Sequence, residues 1–125
     1  MNKLFNVWKN SFFVKLCRKY QTMLTRKTAL DTVNSFLTDI KHLGYAPTEA
    51  WVFGSVINGN THAYSDIDLA LWDSSFSGIL HLDGEKLKSL LVKYDEIELH
   101  TYPTSTTENE NPFIAVIKKT GERVL

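Results

Sequence analysis

The spacing of hydrophobic positions changes several times along the chain, and each change predicts an element. Leu30, Val33, Phe36, Leu37, Ile40 and Leu43 recur every three or four residues, the period of an amphipathic helix. Thr25 or Thr28 is placed to cap it, Gly44 ends it, and Pro47 follows as a stop. The apolar run from Ala50 to Phe53 predicts a short strand, and Ser55 toward Asn60 a short helix. After a polar loop at 61–65, Asp66 to Trp72 predicts a second strand whose Ile67, Leu69 and Leu71 point to one side. Ser74 to Gly78 is a loop, and Gly84 to Lys93 a helix presenting Leu87, Leu90 and Leu91 to the core. Ile97 to Tyr102 is a third strand, and Pro103 to Glu110 a turn-rich connector. Asn111-Pro112 opens a last helix with proline at its favoured first position, Phe113, Val116 and Ile117 inward, and Gly121 at its close. Helices alternating with three strands predict an α/β domain with a small sheet. Spacing leaves the direction of strand pairing open.

The first 24 residues follow a different logic. Phe5, Trp8, Phe12, Leu16, Tyr20 and Met23 keep helical spacing, while Lys3, Lys9, Lys15, Arg18 and Lys19 give the segment a charge of +5 with no acidic residue. The rest of the chain carries −5, so the formal total is zero. A basic aromatic stripe suits docking on a partner, on a second copy or on its own domain, or contact with a membrane surface. A further reading is a dispensable extension, with the native start at Met23. The expected division is therefore a basic amphipathic segment at 1–24 and one domain at 25–125. A length of 125 residues, 43% hydrophobic and 22% charged, describes one ordinary globular core. Zero net charge argues against dedicated nucleic-acid binding through a global positive field. The single cysteine, Cys17, excludes an intrachain disulfide and a thiolate zinc site. No apolar run approaches the roughly 18 residues a bilayer span requires, and no signal-peptide pattern is seen. The expected location is the cytoplasm.

Chemistry concentrates between Trp51 and Trp72. Gly54 and Ser55 follow an apolar strand and open a helix, a place where backbone N–H groups and a hydroxyl cradle phosphate oxygens. Asp66 and Asp68 lie two apart at the start of the next strand, so both carboxylates project from one face. Adjacent carboxylates repel unless a cation lies between them, and hard divalent ions such as Mg²⁺ prefer oxygen ligands. A phosphate cradle facing such a pair is the minimum equipment for moving a nucleotidyl or phosphoryl group. Either half alone is ordinarily a turn or a solvated strand end; the two apolar strands that frame them make the combination informative.

Gly54-Ser55, ten intervening residues and Asp66-Ile67-Asp68 resemble the defining pattern of the DNA-polymerase-β-like nucleotidyltransferase superfamily. Gly59 and the Ser65-Asp66 pair also resemble its minimal, single-domain nucleotidyltransferases. The resemblance implies a mixed sheet with helices packed on one face and the active site on the other. It implies a nucleotide site at Gly54, Ser55, Gly59 and Ser65, with metal ligands at Asp66 and Asp68. Relatives often carry a basic residue where Asn58 stands, and His62 in the loop is a candidate to compensate.

A third carboxylate is wanted to activate the incoming hydroxyl. Alternation places Glu96, Glu98, His100 and Tyr102 on one face of the third strand. Glu98 is chosen because it lies inside the apolar run. Ile97-Glu98-Leu99-His100 with a following aromatic, then Asn111-Pro112-Phe113 and a Lys-Thr-Gly near the end, resembles one bacterial subgroup in which the matching glutamate is the presumed third acid. His100 is left open between contacting a phosphate, orienting Glu98, lending a proton and a structural role. The resemblance then implies catalytic Asp66, Asp68 and Glu98 holding two Mg²⁺ ions, with ATP the expected substrate and AMP the group moved. The acceptor is expected to be a partner protein, since appended nucleic-acid or drug-binding domains are absent. In two-gene bacterial systems of this kind the partner is a helical HEPN-type toxin. The competing reading is a non-catalytic antitoxin or regulatory subunit that acts by binding alone.

Overall fold

The computed structural model describes residues 25–59 and 66–125. The N-terminal segment 1–24 and the loop containing His62 and Ser65 lie outside the described residues.

The first helix, α1 (Arg26–His42), starts at a Thr25 N-cap in which Thr25 and Thr28 satisfy each other's backbone N–H groups. Its Ala29, Val33, Phe36, Leu37 and Ile40 are buried, whereas Leu43 has become the exposed C-cap. Strand β1 (Glu49–Phe53) leads into a single helical turn, α2 (Ser55–Asn58), ended by Gly59 in the left-handed region at φ 78°. Strand β2 (Ile67–Trp72) follows.

The sequence predicts one helix over 84–93. Two are present, α3 (Leu80–Lys86) and α4 (Lys88–Lys93), hinged at Leu87. The break fits its burial: Leu87 is fully enclosed and its N–H returns to Gly84 O at 3.1 Å, while Leu90 is also buried. The earlier start was masked because Leu80 and Leu82 face solvent, which blurs the helical period.

Strand β3 (Ile97–Tyr102), helix α5 (Phe113–Thr120) and a two-residue strand β4 (Glu122–Arg123) complete the chain. The sheet order is β3-β2-β1-β4. β2 and β3 are parallel, and β1 runs antiparallel to both β2 and β4, so the sheet is mixed as the resemblance implies. β4 escapes a periodicity reading because two residues cannot display alternation.

The larger apolar cluster joins α1, the hinge residue Leu87 and Leu90 of α4 to Ala50, Val52, Ile67, Leu69, Leu71, Ile97 and Leu99 of the sheet. This is the helical layer. Among the helices of the described residues, α5 alone sits on the opposite face, where Ile114 and Ile117 pack on Phe53, Ala70, Trp72 and Tyr102. Its phase differs from the expected one. Ile114 is buried with Ile117, and Phe113 and Val116 are 42% and 50% exposed. Pro112 takes the N-cap position, and Asn111 Oδ1 accepts from Phe113 N at 3.0 Å. The helix therefore starts one residue later than predicted and turns Phe113 outward.

Two buried carboxylates pin the loops of the helical side. Asp73 accepts from Ala46 N and Ser75 N, both at 2.8 Å. Asp83 accepts from Ser77 N (2.8 Å), Gly78 N (3.0 Å) and the Thr101 hydroxyl (2.7 Å). Burial alone would push the Asp83 carboxyl up; these donors, with the Ser77 hydroxyl, outweigh it and hold the group below the usual carboxylate range.

Candidate metal centre

Sheet register assembles the acidic cluster. Phe53 pairs with Asp68, and Asp68 with Glu98. Directly paired residues on neighbouring strands stand about 5 Å apart with side chains on the same face. Asp68 and Glu98 are therefore brought together by the backbone. His100, two residues on along β3, joins them on that face. One ligand atom each from Asp68, Glu98 and His100 lie within 4.8 Å of one another.

Asp68 is the hub. Gly54 follows β1 at φ 83° and ψ −158°, a backbone region essentially reserved for glycine. A Cβ built on Gly54 would lie 2.3 Å from Asp68 Oδ2. The carboxylate thus rests against the bare α-carbon, and the glycine is needed both for its backbone conformation and for the space. Ser55 and Val56 open α2, where the first N–H groups of any helix lack an acceptor within it.

Partial desolvation pushes the Glu98 carboxyl above its ordinary range, although the side chain as a whole is exposed. The Asp68 charge and a hydrogen bond between the two carboxyl groups add to this; His100 opposes it, and Asp66 contributes from further away. The cluster is thus crowded with negative charge and holds a proton at Glu98 more tightly than a free carboxylate does.

His100 is packed between aromatic rings, its centroid 5.1 Å from that of Phe53 and 6.3 Å from that of Phe113. Its Nε2 is fully buried, without a hydrogen-bond partner among the described residues. The nearest charged atom is Asp68 Oδ1 at 3.6 Å, too far for a hydrogen bond.

The sequence-derived candidates therefore separate. Gly54, Asp68 and Glu98 are brought together, and His100 is added to them. Asp66 lies just before β2, exposed and outside the 4.8 Å cluster. Gly59 has no neighbouring atom within 4 Å of a built Cβ, and Ser65 lies outside the described residues. Strand alternation already places His100 on the face of Glu98, but the sequence does not put it among the metal-ligand candidates; its nearness to Asp68 and Glu98 does. An open groove of about 580 Å³, lined by Ser77, His81, Asp83 and Lys86 among others, contains none of these residues.

The donor set fits a divalent cation: two carboxylates of the same face, one unpartnered imidazole nitrogen, and net negative charge for a cation to relieve. Among the described residues no helix is long and apolar enough to cross a membrane. A family model described as a nucleotidyltransferase domain matches residues 33–119. The match covers well over half of the chain and includes Gly54, Asp68, Glu98 and His100. None of the curated proteins matches the chain.

Proposed function

This chain belongs to the nucleotidyltransferase domain family, of the DNA-polymerase-β-like superfamily, and on that premise we propose that it transfers AMP from ATP to a hydroxyl of a partner protein. The observation that carries the reading is Asp68, register-paired with Glu98 and seated on Gly54. Asp68 and Glu98, with Asp66 at the mouth of the strand, would hold Mg²⁺ or a similar ion. When bound, such an ion supplies Lewis-acid stabilisation of the departing pyrophosphate and acidifies the attacking hydroxyl. The backbone of Gly54 and Ser55 and the Ser55 hydroxyl orient the phosphates, with Gly59 and Ser65 flanking them. Glu98, whose carboxyl is already pushed upward, takes the proton from the acceptor hydroxyl.

The acceptor that fits this reading is a helical HEPN-type protein, and its modification would make this chain a catalytic antitoxin. Residues 25–125 carry the transfer, and the basic stripe at 1–24 serves the partner contact. The test is label transfer from α-³²P-ATP to a small helical protein encoded beside this chain. We expect label on the partner with the wild type, less with a chain starting at Met23, and none with Asp68→Asn. Partner neutralisation without label would overturn the catalytic reading in favour of inhibition by binding alone.

A further inference from the structure

We propose that His100 is itself a metal ligand through Nε2, so that the centre selects a first-row transition ion, Mn²⁺ in the first instance, over Mg²⁺. The inference rests on the nucleotidyltransferase reading for the existence of a cation site, and adds which residue completes it and what that residue selects. Three observations support it. First, His100 Nε2 is buried and unpartnered among the described residues, a costly state for a ring nitrogen unless something binds it. Second, that atom belongs to the same 4.8 Å cluster as ligand atoms of Asp68 and Glu98. Ligands of one ion at about 2.1 Å stand roughly 3–4 Å apart, so small side-chain adjustments bring the three onto a common ion. Third, the ring is fixed. Phe53 and Phe113 pack at 5.1 and 6.3 Å, and the backbone of Ala70 is its register partner on β2.

An alternative role as a simple ion-pair partner of Asp68 fits less well. The 3.6 Å separation is within ion-pair range but too long for a hydrogen bond, and a pairing with Asp68 alone leaves the gathering of Glu98 into the same cluster unexplained. The selectivity follows from the donor type. Mg²⁺ takes hard oxygen ligands almost exclusively, whereas an imidazole nitrogen raises affinity for first-row transition ions, among which Mn²⁺ also accepts carboxylates readily.

The experiment uses the full chain, MnCl₂ and MgCl₂, and no nucleotide. Free Mn²⁺ is counted by room-temperature electron paramagnetic resonance, and bound Mn²⁺ is examined by electron spin echo envelope modulation. We expect Mn²⁺ to bind more tightly than Mg²⁺ and to show ¹⁴N modulation from a directly bound imidazole. His100→Gln should weaken Mn²⁺ by at least about tenfold, remove the modulation, and leave Mg²⁺ affinity within about threefold. Bound Mn²⁺ without ¹⁴N modulation in the wild type overturns the proposal, and that measurement needs no variant to fold. Wild-type protein that binds Mg²⁺ as tightly as Mn²⁺ overturns it too, while leaving the proposed function intact. Nitrogen-coordinated Mn²⁺ in a protein that transfers no label would sustain the metal site and sink the proposed function instead.

Discussion

Gly54→Ala perturbs the centre at its narrowest point, and its cost can be worked out from two separate terms. An alanine at φ 83° and ψ −158° sits in a region that costs roughly 1–3 kcal/mol for a residue with a Cβ. The new methyl would also lie 2.3 Å from Asp68 Oδ2, about 1 Å inside ordinary contact, so the carboxylate must retreat by about that distance. Together these predict a loss of about 2–3 kcal/mol, which for a domain near this size lowers the melting temperature by roughly 10–20 °C. A displacement of about 1 Å at a reacting centre costs on the order of 100-fold in rate, so label transfer should fall at least that far even at temperatures where the variant is folded. The two terms are separable with a second substitution. Asp68→Ala removes the clash and leaves the backbone strain, so Gly54→Ala with Asp68→Ala should be more stable than the single losses add up to, by about 1 kcal/mol. Thermal unfolding of the four proteins by circular dichroism measures the cycle. A Gly54→Ala protein that melts within about 2 °C of the wild type, well short of what 2 kcal/mol implies, would refute the idea that Asp68 is seated on a bare α-carbon.

Two further substitutions probe the carboxyl groups. Glu98→Gln should lower transfer by about 10²–10⁴-fold, the usual share of a general base. It should also stabilise the metal-free protein at pH 7. The Glu98 carboxyl is raised in the fold, so its contribution is fully present below its unfolded pKa and is lost as pH rises through the folded value. The stabilisation should therefore vanish near pH 4, and melts in chelator across that range check it. Asp83→Asn should cost about 2–3 kcal/mol, because an amide nitrogen must replace an oxygen that accepts from Thr101 and Gly78. The Asp83 carboxyl is held low, so its contribution is present above the unfolded pKa and fades in acid. Denaturant melts should show the gap between wild type and variant closing as pH falls below that value, and a gap independent of pH would count against the charge as its source.

What the sequence makes legible is what backbone geometry enforces. Period-two alternation in β2 and β3 separates Ile67, Leu69, Leu71, Ile97 and Leu99 from Asp68, Glu98 and His100, because a pleated strand leaves no other choice. Gly54 is legible because only glycine tolerates its backbone, and α1 because its apolar stripe spans several turns. Features decided by tertiary contact are not legible in that way. Phe113 reads as core by composition and lies outward, since the Asn111 and Pro112 cap sets the phase of α5 and a single apolar residue cannot announce it. The hinge at Leu87 reflects the demand of a buried side chain, and no breaker residue marks it. Asp73 and Asp83 look like any loop aspartates until their donors, supplied by residues up to 27 positions away, are seen.

The same contrast explains why the cluster is tolerable to the fold. Asp68 and Glu98 stand side by side on adjacent strands, an arrangement that opposes folding when no cation is present. Apolar contact elsewhere on the two strands offsets that repulsion. The Ile and Leu residues of β2 and β3 anchor one face in the large core. On the other face, Trp72 stacks on Tyr102 at 4.8 Å between ring centroids, and Ile114 and Ile117 close over them. The charged pair lies toward the N-terminal ends of both strands and the aromatic clamp at their C-terminal ends, so the stacked rings hold the register on the site face and the carboxylates are carried into position. A strand pair built this way spends no flexibility on aligning its acids. Slippage by one residue would place Ile67 and Leu69 on the site face and Asp68 in the helical core, so the packing that stabilises the domain also specifies the metal centre.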